Sequence, residues 1–346
     1  MHAPAFALVL ALSALTAQGT APPPREPSGP PAGVLIVLNK AAATADFIDT
    51  HTGEKLRTRP TGTGPHEGII APGGRLAVVA NYGAQEPGGT LTLLDLEHDA
   101  ALAPLELGEL VRPHGLAFSG GLLLVTAEQK GALLGVDLET RKVVKSVPTG
   151  QEVSHMVAVT PDGKRAFVAN IGSGSVTAVD LEAWRVLSSV PTGAGAEGVD
   201  VSPDGKEVWV TNRSAGTVSV VDAVALEVRA KLDCPGFPIR VKFTPDGALA
   251  LVSAAQAGEV AVFDARTKEL KRRVPMTLPH AAGETPPAAA GTQPIGILIP
   301  PHGREAYVAC AAIDRVAVLD LATLKVTRSF TTGSQPDGLA WYAPRG

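Results

Sequence analysis

Cysteine is nearly absent, and several chemistries go with it. Two thiols, Cys234 and Cys310, in 346 residues are too few for a disulfide scaffold. No Cys-x-x-Cys or Cys-x-x-Cys-His spacing occurs, which excludes a thiol redox motif and covalently attached c-type haem. The two thiols are read as separate, half-buried side chains or, in an oxidising compartment, as one disulfide. Aromatics make up only 4% of the chain, so a core has to be built from Val, Ala, Leu and Ile. Charged residues are also sparse, at 18% with a net charge of −4. That gives no electrostatic ground for a nucleic-acid or acidic-membrane partner. There is no Gly-rich phosphate loop, no Gly-x-Ser-x-Gly elbow and no pair of helix histidines.

Long apolar runs are missing too. The longest, Ala5 to Leu15, is too short to span a bilayer. Small residues follow it, and it reads as an export signal over residues 1–19, cut after Ala17 or Gly19. No Cys follows to carry a lipid. Residues 20–32 (TAPPPREPSGPPA) read as an extended Pro-rich linker, and residues 33–346 as the folded part of an exported protein, periplasmic or secreted.

What the chain does have is 37 Gly and 29 Pro spread along its length, and these punctuate a repeat. A β-type run ends in Asp at Asp49, Asp95, Asp137, Asp180, Asp222, Asp264 and Asp320, at spacings of 46, 42, 43, 42, 42 and 56. Ten residues before most of these, a second apolar run ends at Asn39, Ala127, Asn170, Asn212, Ala254 or Cys310; Asn81 is the equivalent in the unit with an insertion. A Pro/Gly turn precedes each such run from the second unit on, as in TPDG (160–163) and SPDG (202–205). Pro presets φ, Asp bonds its own backbone and Gly accepts positive φ, so these are tight hairpin turns. Each unit holds four short strands, and a forty-odd-residue period of four strands predicts a propeller. The first unit starts directly with a b-type strand, GVLIVLN (33–39), while PDGLAW (336–341) is an a-type strand with no unit after it. One C-terminal strand a and N-terminal strands b–d then complete a seven-bladed, all-β ring without an exposed edge.

The segments AFVANIG, VWVTNRS and AVVANYG, each after a Pro-Asp-Gly-type turn and followed by SVTAVD-like strands, resemble the YVTN β-propeller repeats of YncE-like exported bacterial proteins. The resemblance covers residues 33–342 and implies the fold; members of that family share no single chemistry. The lack of a Trp-Asp dipeptide argues against the WD40 class.

Strands a line the channel of a propeller, so their first residues gather at one mouth. Aligning the units puts His66 and Glu67, His114, His155, Glu197, Ile239 and Arg240, Ile295 and Asp337 there. Pro before and Gly after these residues is expected to bring backbone close to the axis. Three of the eight histidines share this one repeat position. The candidate ligand-binding set is therefore His66, Glu67, His114, His155, Glu197, Arg240 and Asp337. Two readings stand side by side: groups that merely solvate a wet channel, or a funnel for a small anionic or chelating ligand or a divalent cation such as Zn or Mn. No motif demands a cofactor. A monomeric, non-catalytic scaffold for a small ligand or protein partner ranks first. A lactonase-like hydrolase or lyase using His66, His114, His155 and Glu197 at the same mouth ranks second. Insertions at 84–88 and 277–292 map to this face, the second as a mobile loop with two readings: neutral drift of a surface loop, or a lid from which His280 or Glu284 reach inward. The repeated Asn residues are expected to cap turns, and the repeated Asp to close Asx-type turns.

Overall fold

Each repeated Asp closes the turn between strands c and d as expected: its Oδ1 accepts the backbone N–H groups two and three residues on, as Asp222 does from Val224 (2.9 Å) and Ala225 (2.8 Å). At the same end of the blade, between strands a and b, Gly163, Gly205 and Gly247 of the Pro-Asp-Gly turns have φ of 70°, 72° and 69°. The structure, a computed structural model, describes residue 1, residues 33–278 and residues 288–344. The expected leader and linker, apart from Met1, and the loop positions His280 and Glu284 lie outside the described residues.

These turns organise seven antiparallel sheets, one per blade. In blade 5, strand a is Ala196–Val201, b is Glu207–Asn212, c is Thr217–Asp222 and d is Val228–Asp233. Strands b are buried throughout, whereas strand d of blade 5 alternates half-buried and exposed positions. A strand covered on both faces by neighbouring blades reads as a continuous apolar run; an outermost strand cannot. Aromatic side chains fill the gap between blades 5 and 6: Trp209 is fully buried, edge-on to Phe243 and Phe263 with ring centres 5.4 and 6.0 Å away. Blade 1 is the composite one. Its strand a, Pro336–Tyr342, pairs with Val34–Asn39, followed by Thr44–Asp49 and Lys55–Pro60, in a register that sets Val34 opposite Tyr342 and Val37 opposite Leu339.

The repeated Asn residues have a different job from turn capping. None has positive φ; Asn39, Asn170 and Asn212 end their strand b in extended backbone, and Asn81 lies within one, Leu76–Gly83. Their side chains reach across to hydroxyls of strand c: Asn170 Nδ2 donates to Ser175 Oγ (3.1 Å) and Thr177 Oγ1 (2.9 Å), and Asn212 Nδ2 to Thr217 Oγ1 (3.0 Å) and Ser219 Oγ (3.1 Å). Amide-to-hydroxyl bridges satisfy polar groups that the blade core has removed from water. Cys234 and Cys310 are both free thiols and fully buried. They belong to different inter-blade cores, and burial pushes their pKa values up to about 11 and about 12, so both are held as inert thiols.

Candidate ligand site at the channel mouth

A bulge at the start of strand a aims the funnel residues. In all seven blades the pairing of strands a and b shifts register there, for example between Pro65 and Gly68, Ser154 and Val157, and Ala196 and Val199. The side chains in the bulge leave the pleat alternation and point at the channel. A hydroxyl on strand b fixes the bulge to the next blade: Thr126 Oγ1 accepts Gly115 N–H (2.8 Å) and donates to His155 O (2.5 Å), and Thr211 Oγ1 accepts Gly198 N–H (2.8 Å) and donates to Ile239 O (2.9 Å). The glycines after His114, Glu197, Ile295 and Asp337 are required by the same close approach. A Cβ on Gly198 would overlap the carbonyl of Ile239, and one on Gly338 that of His66.

All seven predicted residues stand on this ring. His66, His114 and His155 form a ladder, with ring centres 5.1 Å apart for the first pair and 3.6 Å for the second. His155 Nδ1 meets Glu128 Oε2 at 2.7 Å, and its Nε2 faces Glu197 Oε1 at 3.6 Å. Glu197 is also held by Arg213 (2.7 Å) and Asp337 by Lys40 (3.2 Å). Glu67 and Arg240, from blades 2 and 6, are paired across the axis.

Four partners of this network were not in the predicted set: Lys40, Tyr82, Glu128 and Arg213. Each directly follows a strand-b landmark (Asn39, Asn81, Ala127, Asn212), and the same position in the other blades is Ile171, Ala255 or Ala311. A second ring one residue beyond the landmark was thus present in the period. Tyr82 packs on His66 with ring centres 4.5 Å apart, donates its hydroxyl to Glu128 and is covered by the Arg112 guanidinium at 4.7 Å. A hydrogen-bonded and ion-paired chain, Tyr82–Glu128–His155–Glu197–Arg213, therefore runs over blades 2 to 5.

The electrostatics divide the three imidazoles. Burial opposes charge on His155, but hydrogen bonds to Glu128 and Glu197 outweigh it and raise its pKa above 6.5. Against their own burial, both carboxyls are lowered, chiefly by His155. His114 goes the other way: burial, then the neighbouring His155 and His66, push it well below 6.5. Burial also lowers His66. The ladder therefore stacks two rings biased toward the neutral form on one biased toward the imidazolium. His114 is 3% exposed, and its Nδ1 has no hydrogen-bond partner; Arg240, also 3% exposed, has the same deficit at Nη1.

Among the described residues, no group of three or more His, Cys, Asp or Glu is placed to hold a metal ion. The expected ligands do not converge, because His114 and His155 lie ring on ring and both nitrogens of His155 face carboxylates. A cavity of about 510 Å³ lies elsewhere, beside the Pro-Asp-Gly turns of blades 5 and 6 on the opposite face, and another of about 340 Å³ repeats one blade earlier. Their recurrence at the blade period marks them as a product of the architecture. Among the described residues no helix is long and apolar enough to cross a membrane.

The architecture is that of a seven-bladed propeller, and the comparisons agree. A family model described as the cytochrome D1 heme domain matches residues 117–240 and again 159–282. The two matches start 42 residues apart and end 42 residues apart, which is one blade, so the likeness is to the blade repeat over blades 3 to 6. No curated protein matches. The chain is similar in fold to hydrazine synthase of Kuenenia stuttgartiensis (TM-score 0.68, 18% identity, 80% of this chain and 89% of that one). It is likewise similar to a functionally unknown protein from Desulfotomaculum acetoxidans (0.71, 14%, 90% and 99%). A third similar structure is dihydro-heme d1 dehydrogenase NirN in complex with DHE (0.64, 17%, 92% and 78%). The solved structures are alike in fold, and the family match is confined to the blade repeat. Within the channel the Glu67–Arg240 pair crosses the axis beside the stacked imidazoles, and the cavity of about 190 Å³ there is too small for a haem.

Proposed function

We propose that this chain is an exported, YVTN-type propeller that acts as a non-catalytic binding protein, holding a small polar ligand at the channel mouth. The unpartnered Nδ1 of buried His114 carries the reading. Buried polar groups are nearly always paired, and one left open in a polar concave site is where a ligand atom belongs. Around it, His155, Glu128, Glu197 and Arg213 are committed to one another, which makes a rigid floor rather than a set of free acids and bases. The apolar run at 5–15 and the Pro-rich segment at 20–32 support export.

Native mass spectrometry of protein purified from its own compartment tests this. The expected result is a mature mass cut near residue 17 or 19, plus a small-molecule adduct that disappears in His66→Ala and His114→Ala. The lactonase-like alternative requires stoichiometric metal and lactone turnover, and either would displace the binding reading. The family match favours a haem-handling reading; a stoichiometric Soret shift on haem titration, lost in the same variants, would put it first.

A further inference from the structure

One or two residues further along the strands a, beneath the imidazole ladder, the channel encloses a cavity of about 190 Å³. Its walls are mainly apolar, including Leu116, Val157 and Leu339, and its charged groups are Glu67, Arg240 and Lys242. Such a volume holds about six water-sized groups, well under the usual range for large organic ligands. The polar groups are unevenly satisfied. Arg240 reaches Glu67 through Nη2, and Lys242 reaches Asp200 at 3.4 Å, but Arg240 Nη1 is buried with no partner. A buried guanidinium N–H without an acceptor is costly, and a carboxylate is the acceptor whose geometry it matches best.

We infer that this cavity is a second binding site, beneath the imidazole ladder and sharing only Glu67 and Arg240 with the mouth ring, that takes a short-chain monocarboxylate of about four carbons, its carboxylate on Arg240 and its chain against the apolar wall. The inference rests on reading the channel face as a ligand site but not on the identity of the mouth ligand. The charges add a condition. Arg240 and Lys242 are each already matched by a carboxylate, so a second anion beside Glu67 is accommodated when Glu67 takes up a proton. Burial already pushes the Glu67 carboxyl up; Arg240, Lys242 and His155 pull it down and Asp337 pushes it up. Binding therefore couples to uptake of one proton at Glu67, and affinity rises as pH falls.

Isothermal titration of the full mature chain with butyrate, and with butylamine as the cationic control, tests this at pH 5.5 and 7.5. Butyrate is expected to bind once per chain, tighter at the lower pH by up to about tenfold per pH unit, the limit for one linked proton. Butylamine is expected not to bind. Glu67→Gln should bind butyrate at pH 7.5 at least as tightly as the wild type does at 5.5, with no pH dependence. The double variant Glu67→Gln/Arg240→Met removes the ion pair as a unit, which spares the fold, and should lose butyrate while still unfolding cooperatively. His66→Ala should keep butyrate binding, which separates this site from the one at the mouth. The inference is overturned if neither wild type nor Glu67→Gln binds butyrate at pH 5.5, if the folded double variant still binds it, or if butylamine binds equally well.

Discussion

Replacing His155 by Gln keeps a side chain of similar size that donates a hydrogen bond, and removes the positive charge between Glu128 and Glu197. In the native ring the three side chains are 8–11% exposed, so solvent screens them little. Removing one partner of a buried ion pair costs about 3–5 kcal/mol, because a charge is left uncompensated. Here Glu197 keeps Arg213 and Glu128 keeps the Tyr82 hydroxyl, which places the expected loss at the lower end, about 3 kcal/mol. For a chain of this size that is a fall in Tm of about 5 °C. The pH dependence tells charge from packing. His155 has its folded pKa raised, so its contribution is complete below the unfolded value near 6.5 and is lost as pH rises through the folded one. Glu128 and Glu197 have theirs lowered, so their contribution holds above the unfolded value near 4.5 and is lost as pH falls through the folded ones. The triad therefore stabilises most between about pH 4.5 and 6.5. Calorimetric melting of wild type and His155→Gln from pH 5 to 9 should show curves far apart near pH 6 that converge under alkaline conditions, where the native imidazolium has also discharged. A gap that stays constant over the whole range would refute the ion triad and leave only a packing effect.

Three further outcomes follow from the geometry. Asn170→Ala removes the amide that bridges Ser175 and Thr177, whose hydroxyls keep Gln151 and Ser189, and should cost about 1 kcal/mol in urea unfolding, with no change in the circular dichroism of the folded state. Gly338→Ala drives a Cβ into the carbonyl of His66; a loss of about 1–3 kcal/mol is expected from overpacking, whereas Gly120→Ala, with open space around its Cβ position, should suffer only the smaller cost of its left-handed backbone. Deleting residues 336–346 removes strand a of blade 1 and bares Val34–Asn39 as an edge. The product should lose cooperative unfolding and aggregate by size-exclusion chromatography, and a soluble, cooperatively folding product would overturn the closure argument.

The period was legible because turns are chemically demanding. An Asx turn needs its Asp at one place and a positive φ its Gly, so Asp222 or Gly205 can be read without any knowledge of its neighbours. The funnel set was legible for the same reason, since the residues flanking His66, His114 and Glu197 are fixed by the close approach of adjoining strands. Contacts between blades left no such mark. Glu67 and Arg240 are 173 residues apart, and nothing in a forty-residue period says that two of seven equivalent positions meet across the axis. The Asn residues were correctly read as structural but for the wrong reason, because their partners are hydroxyls five to eleven residues downstream rather than their own turn.

The omission of Lys40, Tyr82, Glu128 and Arg213 is the more instructive failure. Packing dictates the landmark residue on strand b, which must be small or Asn in every blade, and so that residue drew attention. The next one points to the mouth and is unconstrained by the core, which is why it changes from Lys to Tyr, Glu, Ile, Arg and Ala around the ring. In a repeat fold, a position whose chemistry changes while its neighbours hold constant is free of the architecture's demands. Where such positions line a concave surface and half of them are charged or aromatic, they are the ones available to shape a site. Here they supply the Glu128 and Arg213 ends of the network that fixes His155, on a scaffold whose regular positions only hold it open.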